Sequence, residues 1–193
     1  MKFPHLILIA AAAFSACKRA PKEAADALPV KEVVAGVPMI DFEAKEAKFS
    51  CRAPRNWGMR EKFVENSKEA VFVGESVKGS GLVYISIRRY PESEPQYDDA
   101  RKYAESFWQI DPTNKQPEVT TEKIGDATVI RFHQERPYYR PHSHKLEYMN
   151  RYDYALFPIK GGFFEIEQRA PASDYAATLP VFEAVVRSFK PKS

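Results

Sequence analysis

Leu82-Val83-Tyr84-Ile85-Ser86-Ile87-Arg88 is the stretch on which the fold turns. It alternates, it is rich in β-branched and aromatic residues, and Gly79-Ser80-Gly81 punctuates its start, so it reads as a strand. Working upstream, Ala70–Gly74 and Lys48–Cys51, ending at Pro54, read as further strands. Downstream, Ala100, Tyr103, Ala104, Phe107 and Trp108 share one helical face, which predicts a helix over Tyr97–Trp108 with Asp98 and Asp99 at its positive end. Val119–Ile124 then leads through Gly125-Asp126 into Thr128–Gln134, and Leu146–Phe157 and Phe163–Arg169 are joined around Gly161-Gly162. Ser173–Phe189 reads as a closing helix with Pro180 in its first turn and Val181, Phe182, Val185, Val186 and Phe189 on its apolar face. Strands in a block, a helix, more strands and a last helix spell α+β with an antiparallel sheet.

The strand pattern also predicts faces. Ile130, Phe132, Tyr152, Tyr154, Leu156, Phe164 and Ile166 are expected to face the core. Arg131, His133, Arg151, Asp153, Glu165, Glu167 and Arg169 are expected as cross-strand ion pairs on a solvated face. The chain of 193 residues is 44% hydrophobic, enough for one globular domain. A net charge of +3 is too small to point to nucleic acid, which needs a clustered basic face.

Residues 1–16 are a different material: Lys2, an apolar run from Leu6 to Phe14, then small Ser15 and Ala16. Too short to cross a bilayer and followed by Lys18-Arg19, the run reads as a secretion signal. Phe14-Ser15-Ala16-Cys17 resembles the bacterial lipobox, with Phe14 where that motif usually has Leu. The resemblance implies cleavage before Cys17 and lipid on it, and Lys18 beside it implies the outer membrane, facing the periplasm. The alternative is an ordinary secreted protein cleaved after Ala11-Ala12-Ala13, with Cys17 and Cys51 free to form a disulfide. Prolines at 21, 29 and 38 interrupt any period, so residues 17–41 are expected as a tether and 42–190 as one domain.

The most site-like stretch is Arg136-Pro137-Tyr138-Tyr139-Arg140-Pro141-His142-Ser143-His144, expected as an exposed loop between two strands. Arg136, Tyr138, Tyr139 and Arg140 are residue types enriched at protein interfaces, and Trp57 in the opening turn 54–57 joins them as a contact candidate. His142 and His144, about 7 Å apart if extended, form with His133 an alternative metal or small-ligand site. Cys51 reads as a small buried hydrophobe. Gly-x-Ser-x-Gly, His-Glu-x-x-His, phosphate-loop and Gly-x-Gly-x-x-Gly motifs are absent from the sequence.

Several pieces in this order resemble the PsbP-like superfamily: Phe49 to Pro54-Arg55-Asn56-Trp57, the helix Tyr97–Trp108, the pair hinged on Gly125-Asp126-Ala127, the aromatic run Gly162-Phe163-Phe164-Glu165-Ile166, Ala170-Pro171, and Val186-Arg187-Ser188-Phe189. The resemblance implies a central antiparallel sheet flanked by helices, an α/β/α sandwich. It also implies a non-enzymatic role docking onto a larger assembly, with no cofactor. The expectation is therefore a lipid-anchored envelope protein that docks onto another envelope protein or complex and binds no nucleic acid.

Overall fold

The computed structural model describes residues 29–64, 67–76, 81–91, 99–106, 117–140 and 145–192. Eleven strands and two helices lie among them: β1 (Val30–Val34), β2 (Val37–Ala44), β3 (Phe49–Pro54), β4 (Gly58–Val64), β5 (Ser67–Glu75), β6 (Leu82–Pro91), α1 (Ala100–Ser106), β7 (Thr120–Ile124), β8 (Ala127–Tyr139), β9 (Leu146–Ile159), β10 (Gly162–Pro171), α2 (Tyr175–Ser188) and β11 (Lys190–Pro191). They form a seven-stranded sheet in the order β4-β5-β6-β10-β9-β8-β7 and a four-stranded sheet in the order β1-β2-β3-β11. Every pairing is antiparallel, as the short hairpin connections require.

The smaller sheet corrects the expected tether. Val34 pairs with Val37 across Ala35 and Gly36, both at positive φ (50° and 79°), the geometry of a two-residue hairpin turn. Met39 and Ile40, assigned from sequence to the tether, are buried, so folded chain begins at Val30 rather than 42. At the other end β11 carries pairing past residue 190.

One face of the large sheet meets the small sheet and α2. Phe72, Ile85, Ile87, Ala155, Phe157, Phe164 and Ile166 pack there against Phe49, Cys51, Phe182, Val185, Val186 and Phe189. Phe49, Phe164 and Phe189 meet ring to ring at 5.2–6.0 Å, and each buried ring stabilises by about 2–3 kcal/mol through water exclusion. Helix α2 starts at Tyr175, so Pro180 sits in its second turn rather than its first, exposed on the side away from buried Val181 and Phe182. Asp174, buried just before the helix, accepts a hydrogen bond from the Ser76 hydroxyl at the end of β5.

The opposite face carries α1. Its start is capped by Asp99, whose Oδ1 accepts the Arg101 and Lys102 amides at 2.7 and 3.0 Å. Ala100, Tyr103 and Ala104 pack on Tyr90, Ile130, Phe132, Tyr154, Leu156 and Phe163. Phe107 and Trp108, placed by sequence on the same helix, lie outside the described residues.

Register overturns one expectation about the faces. Glu165 lies opposite Leu156 and Glu167 opposite Tyr154, while Leu156 and Tyr154 lie opposite Ile130 and Phe132. Opposed residues share a face, so Glu165 and Glu167 lie with the apolar set under α1, and Phe164 and Ile166 on the other side.

Candidate functional site

Strand β8 does not stop before Arg136. Arg136, Pro137 and Tyr138 stay in register with Asn150, Met149 and Tyr148, and Tyr139 lies opposite Leu146. The expected loop is therefore strand as far as Tyr139, and the Arg140 amide closes the turn on the Lys145 carbonyl at 2.9 Å. Pro137 offers no amide to the ladder, and β8 bulges between Tyr138 and Tyr139. Tyr138 stacks on Tyr148 at 4.7 Å, and Arg140 pairs with Glu147 at 3.1 Å. Tyr138, Tyr139 and Leu146 are 37%, 52% and 51% exposed. Leu82, also exposed, begins β6 at the same end of the sheet, where a Cβ on neighbouring Gly81 would lie 3.0 Å from the Tyr148 hydroxyl.

Arg136 lies two residues before Tyr138 on β8 and shares its face of the sheet. Half-buried on the α1 face, it donates to Gln134 Oε1 at 2.7 Å and lies over the Tyr152 ring at 5.2 Å. Trp57 does not join this surface. It is half-buried against the core, and its ring packs over Gly74, on the far side of β6, β10 and β9 from β8 and so away from Tyr138. His142 and His144 lie outside the described residues.

His133 is exposed and faces Asp153 across the ladder. Around them Glu118, Thr120 and Arg131 line a hollow of about 180 Å³. Asp153 accepts from the Tyr175 hydroxyl at 3.1 Å, and Arg151 lies 4.0 Å over the Tyr175 ring. Burial raises the Asp153 carboxyl above its ordinary range, against the pull of that hydrogen bond and the nearby arginines. Arg131 pairs with Glu122 at 3.3 Å and also with Glu183 of α2. No trio of potential metal ligands stands together among the described residues.

The sequence missed a second polar constellation because it assigned it to a solvated surface. Glu165, 6% exposed, accepts from Tyr103 at 2.7 Å and from Tyr90 at 3.4 Å, and lies opposite Arg88, which in turn lies opposite Glu69. Burial and then the Glu167 charge push its carboxyl up to about 8, so it is mostly protonated at neutral pH. Desolvation also raises Glu167, which takes a hydrogen bond from Tyr154. Glu69 pairs with Lys62 at 3.1 Å. The geometry is that of an internal latch: carboxyls, tyrosines and Arg88 join α1 to three strands.

A further hollow, of about 960 Å³, runs between the small sheet and α2. Ion pairs line it, Arg52–Glu32 at 2.6 Å and Lys192–Glu43 at 2.9 Å, and of the residues read from sequence as contact or metal candidates it includes none.

No family model matches the sequence, and no curated protein matches it. Similar solved structures include one from Bacteroides thetaiotaomicron, 14% identical with a TM-score of 0.50, aligned over 79% of this chain but 48% of that one. This chain thus spans about half the length of that protein. A protein of unknown function from Pseudomonas aeruginosa is 9% identical with a TM-score of 0.50, over 80% of this chain and 98% of that one. A cyanobacterial PsbP from Synechocystis sp. PCC 6803 is 10% identical with a TM-score of 0.48, over 79% and 92%. At such identities the likeness is one of fold alone.

Proposed function

We propose that this chain is a membrane-anchored envelope lipoprotein whose PsbP-like domain docks, without catalysis, onto another envelope protein or complex. Lipid on Cys17 holds it to the membrane in this reading, with the outer membrane, facing the periplasm, as the site that Lys18 favours. The layering that suits such a module, helix over sheet over helix, belongs to the same reading: α1 over one face of the large sheet and α2 over the other.

The observation that carries the docking reading is the gathering of Leu82, Tyr138, Tyr139 and Leu146, all exposed, at one end of the large sheet beside the Arg140–Glu147 pair. Tyr offers apolar area with a polar tip at low entropic cost, and exposed patches of this kind mark interaction surfaces. The non-catalytic reading is supported by Glu165 and Glu167, whose oxygens are engaged by tyrosines of the latch.

The test is crosslinking in intact cells with the anchor in place, followed by affinity capture and mass spectrometry. The expected result is one recurrent, near-stoichiometric envelope protein, lost when Tyr138, Tyr139 and Arg140 are replaced together by Ala. Mass spectrometry of the mature amino terminus should find acylated Cys17, and a Cys17→Ser variant should leave the membrane fraction. Unchanged capture by the triple variant would sink the surface assignment, and an unmodified Cys17 the anchor.

A further inference from the structure

Helix α1 covers only part of its face of the large sheet. Toward the Tyr138 end the same face carries a row in register across four strands: Tyr84 on β6, Arg169 on β10, Tyr152 on β9 and Gln134 on β8. Arg136 follows Gln134 two residues along β8, on the same face. The Arg169 guanidinium lies 4.1 Å over the Tyr84 ring and shares a hydrogen bond with Tyr152; Arg136 lies over Tyr152 from the other side of the row. Tyr84, Arg169, Tyr152 and Arg136 are half-exposed.

Gln134 is the telling member. It is 5% exposed, and its Oε1 accepts from Arg136 at 2.7 Å, which fixes the amide's orientation. That leaves Nε2 as a buried donor with no hydrogen-bond partner among the described residues. Such a donor is unfavourable unless an acceptor reaches it. It lies beside the Arg136 guanidinium, with the Arg169 guanidinium beyond Tyr152 in the same row, so the acceptor that suits this stretch is an anion with two oxygens, a carboxylate. The acids on this face are engaged, Glu167 by Tyr154 and by the nearby Arg169 and Arg136 charges, Glu69 by Lys62 and Glu165 by Tyr103, and none of them bonds to the Gln134 amide nitrogen. One step further along β8 and β9 the face reaches the Tyr138–Tyr148 stack, with no intervening element among the described residues.

Resting on the docking reading above, we propose that this Tyr84–Arg169–Tyr152–Gln134–Arg136 row is a carboxylate-binding site for an acidic segment of the docked protein. Acidic side chains of the segment meet Arg169, Arg136 and the Gln134 amide. Its apolar residues continue onto Tyr138, Tyr139 and Leu146. The sheet end then supplies area, and the row supplies the preference for acid.

The probe is a labelled peptide alternating Glu and Tyr, with a Lys–Tyr counterpart as control, titrated against the folded protein by fluorescence anisotropy and mapped by NMR. The acidic peptide is expected to bind, more weakly as salt rises, and to shift signals of Tyr84, Gln134, Tyr152 and Arg169. The Lys peptide should not bind. Arg169→Gln and Gln134→Met should each weaken binding at least tenfold with the circular dichroism spectrum and cooperative unfolding retained, and Arg169→Lys should recover part of the loss. Equal binding of both peptides, shifts elsewhere on the molecule, or wild-type affinity in Arg169→Gln would overturn the site. Anionic phospholipid vesicles binding through these residues while the peptide does not would overturn it in favour of a membrane surface. In cells, loss of capture in the Tyr138/Tyr139/Arg140 variant with full capture by Arg169→Gln would remove this site and leave the docking reading standing. Full capture by both variants would remove both.

Discussion

Replacing Glu165 by Gln should make the protein more stable by a margin that opens above about pH 5 and grows until about pH 8. The carboxyl is buried under α1, accepts from Tyr103 and Tyr90, and titrates at about 8 when folded against an ordinary value of 4.5. A raised folded value means that the native state holds the proton more tightly than the unfolded chain. The stability this contributes is fully present below about 4.5 and is lost as pH rises through about 8. Each pH unit across that window costs roughly 1.4 kcal/mol, so the ionised carboxylate destabilises the fold at pH 9 by about 3–5 kcal/mol. Gln imitates the protonated group in shape, offering Oε1 to Tyr103 and an amide to Tyr90, and carries no charge at any pH. Urea unfolding of both proteins at pH 5, 7 and 9, followed by circular dichroism, should give near-equal midpoints at pH 5. At pH 9 the variant should lead by about 3–5 kcal/mol, or about 10 °C in thermal unfolding. Asp153, raised in the same direction, remains in both proteins and cancels; Glu167 interacts with Glu165, so the difference reports the Glu165–Glu167 pair. A variant less stable than wild type at pH 9, or a gap that does not change with pH, would refute the reasoning.

Three further outcomes follow from the packing. Tyr103→Phe removes the hydroxyl that reaches Glu165 at 2.7 Å and should cost about 1–3 kcal/mol, more at pH 9 than at pH 5, by the same urea titration. Gly74→Ala places a methyl 2.5 Å from the Trp57 ring and should destabilise by about 1–3 kcal/mol; in a Trp57→Ala background that penalty should vanish, and its persistence would show that the ring is not the obstacle. Cys51, 5% exposed and with its thiol pushed up to about 12 by burial, should resist a thiol reagent at pH 8 in a Cys17→Ser protein and react fully in urea; rapid labelling of the folded protein would contradict its place in the core.

Much of the candidate site was legible as residue types and little of it as geometry. Tyr138, Tyr139 and Arg140 stand out in the chain because aromatic and basic residues between two strands have few local reasons to gather, and they do share one end of the sheet. Arg136, two residues before Tyr138, shares its face by strand alternation, but pairing with Asn150 sets it deeper along the strand, where it is half-buried. Trp57 looked like an exposed anchor because a turn surrounds it. Gly74, which makes room for its ring, lies on the next strand of the sheet. The Glu165 latch was missed because each of its members comes from a different element: Tyr90 from β6, Tyr103 from α1, Glu165 from β10.

What the sequence determined by itself is what depends on near neighbours. Alternation over Leu82–Arg88, the Gly125-Asp126 turn and the apolar stripe of the last helix are local steric and solvation facts, and they specify antiparallel α+β structure without help from the rest of the chain. What only the tertiary structure decided is phase and continuation. In Phe163-Phe164-Glu165-Ile166-Glu167 both faces carry large apolar residues, so alternation does not say which set turns inward; pairing with β6 and β9 does, and it buries Glu165. Val30–Val34 and Val37–Ala44 are too short and too interrupted by proline to hold as strands alone, and they exist because β3 and the core beneath give Met39 and Ile40 somewhere dry to go.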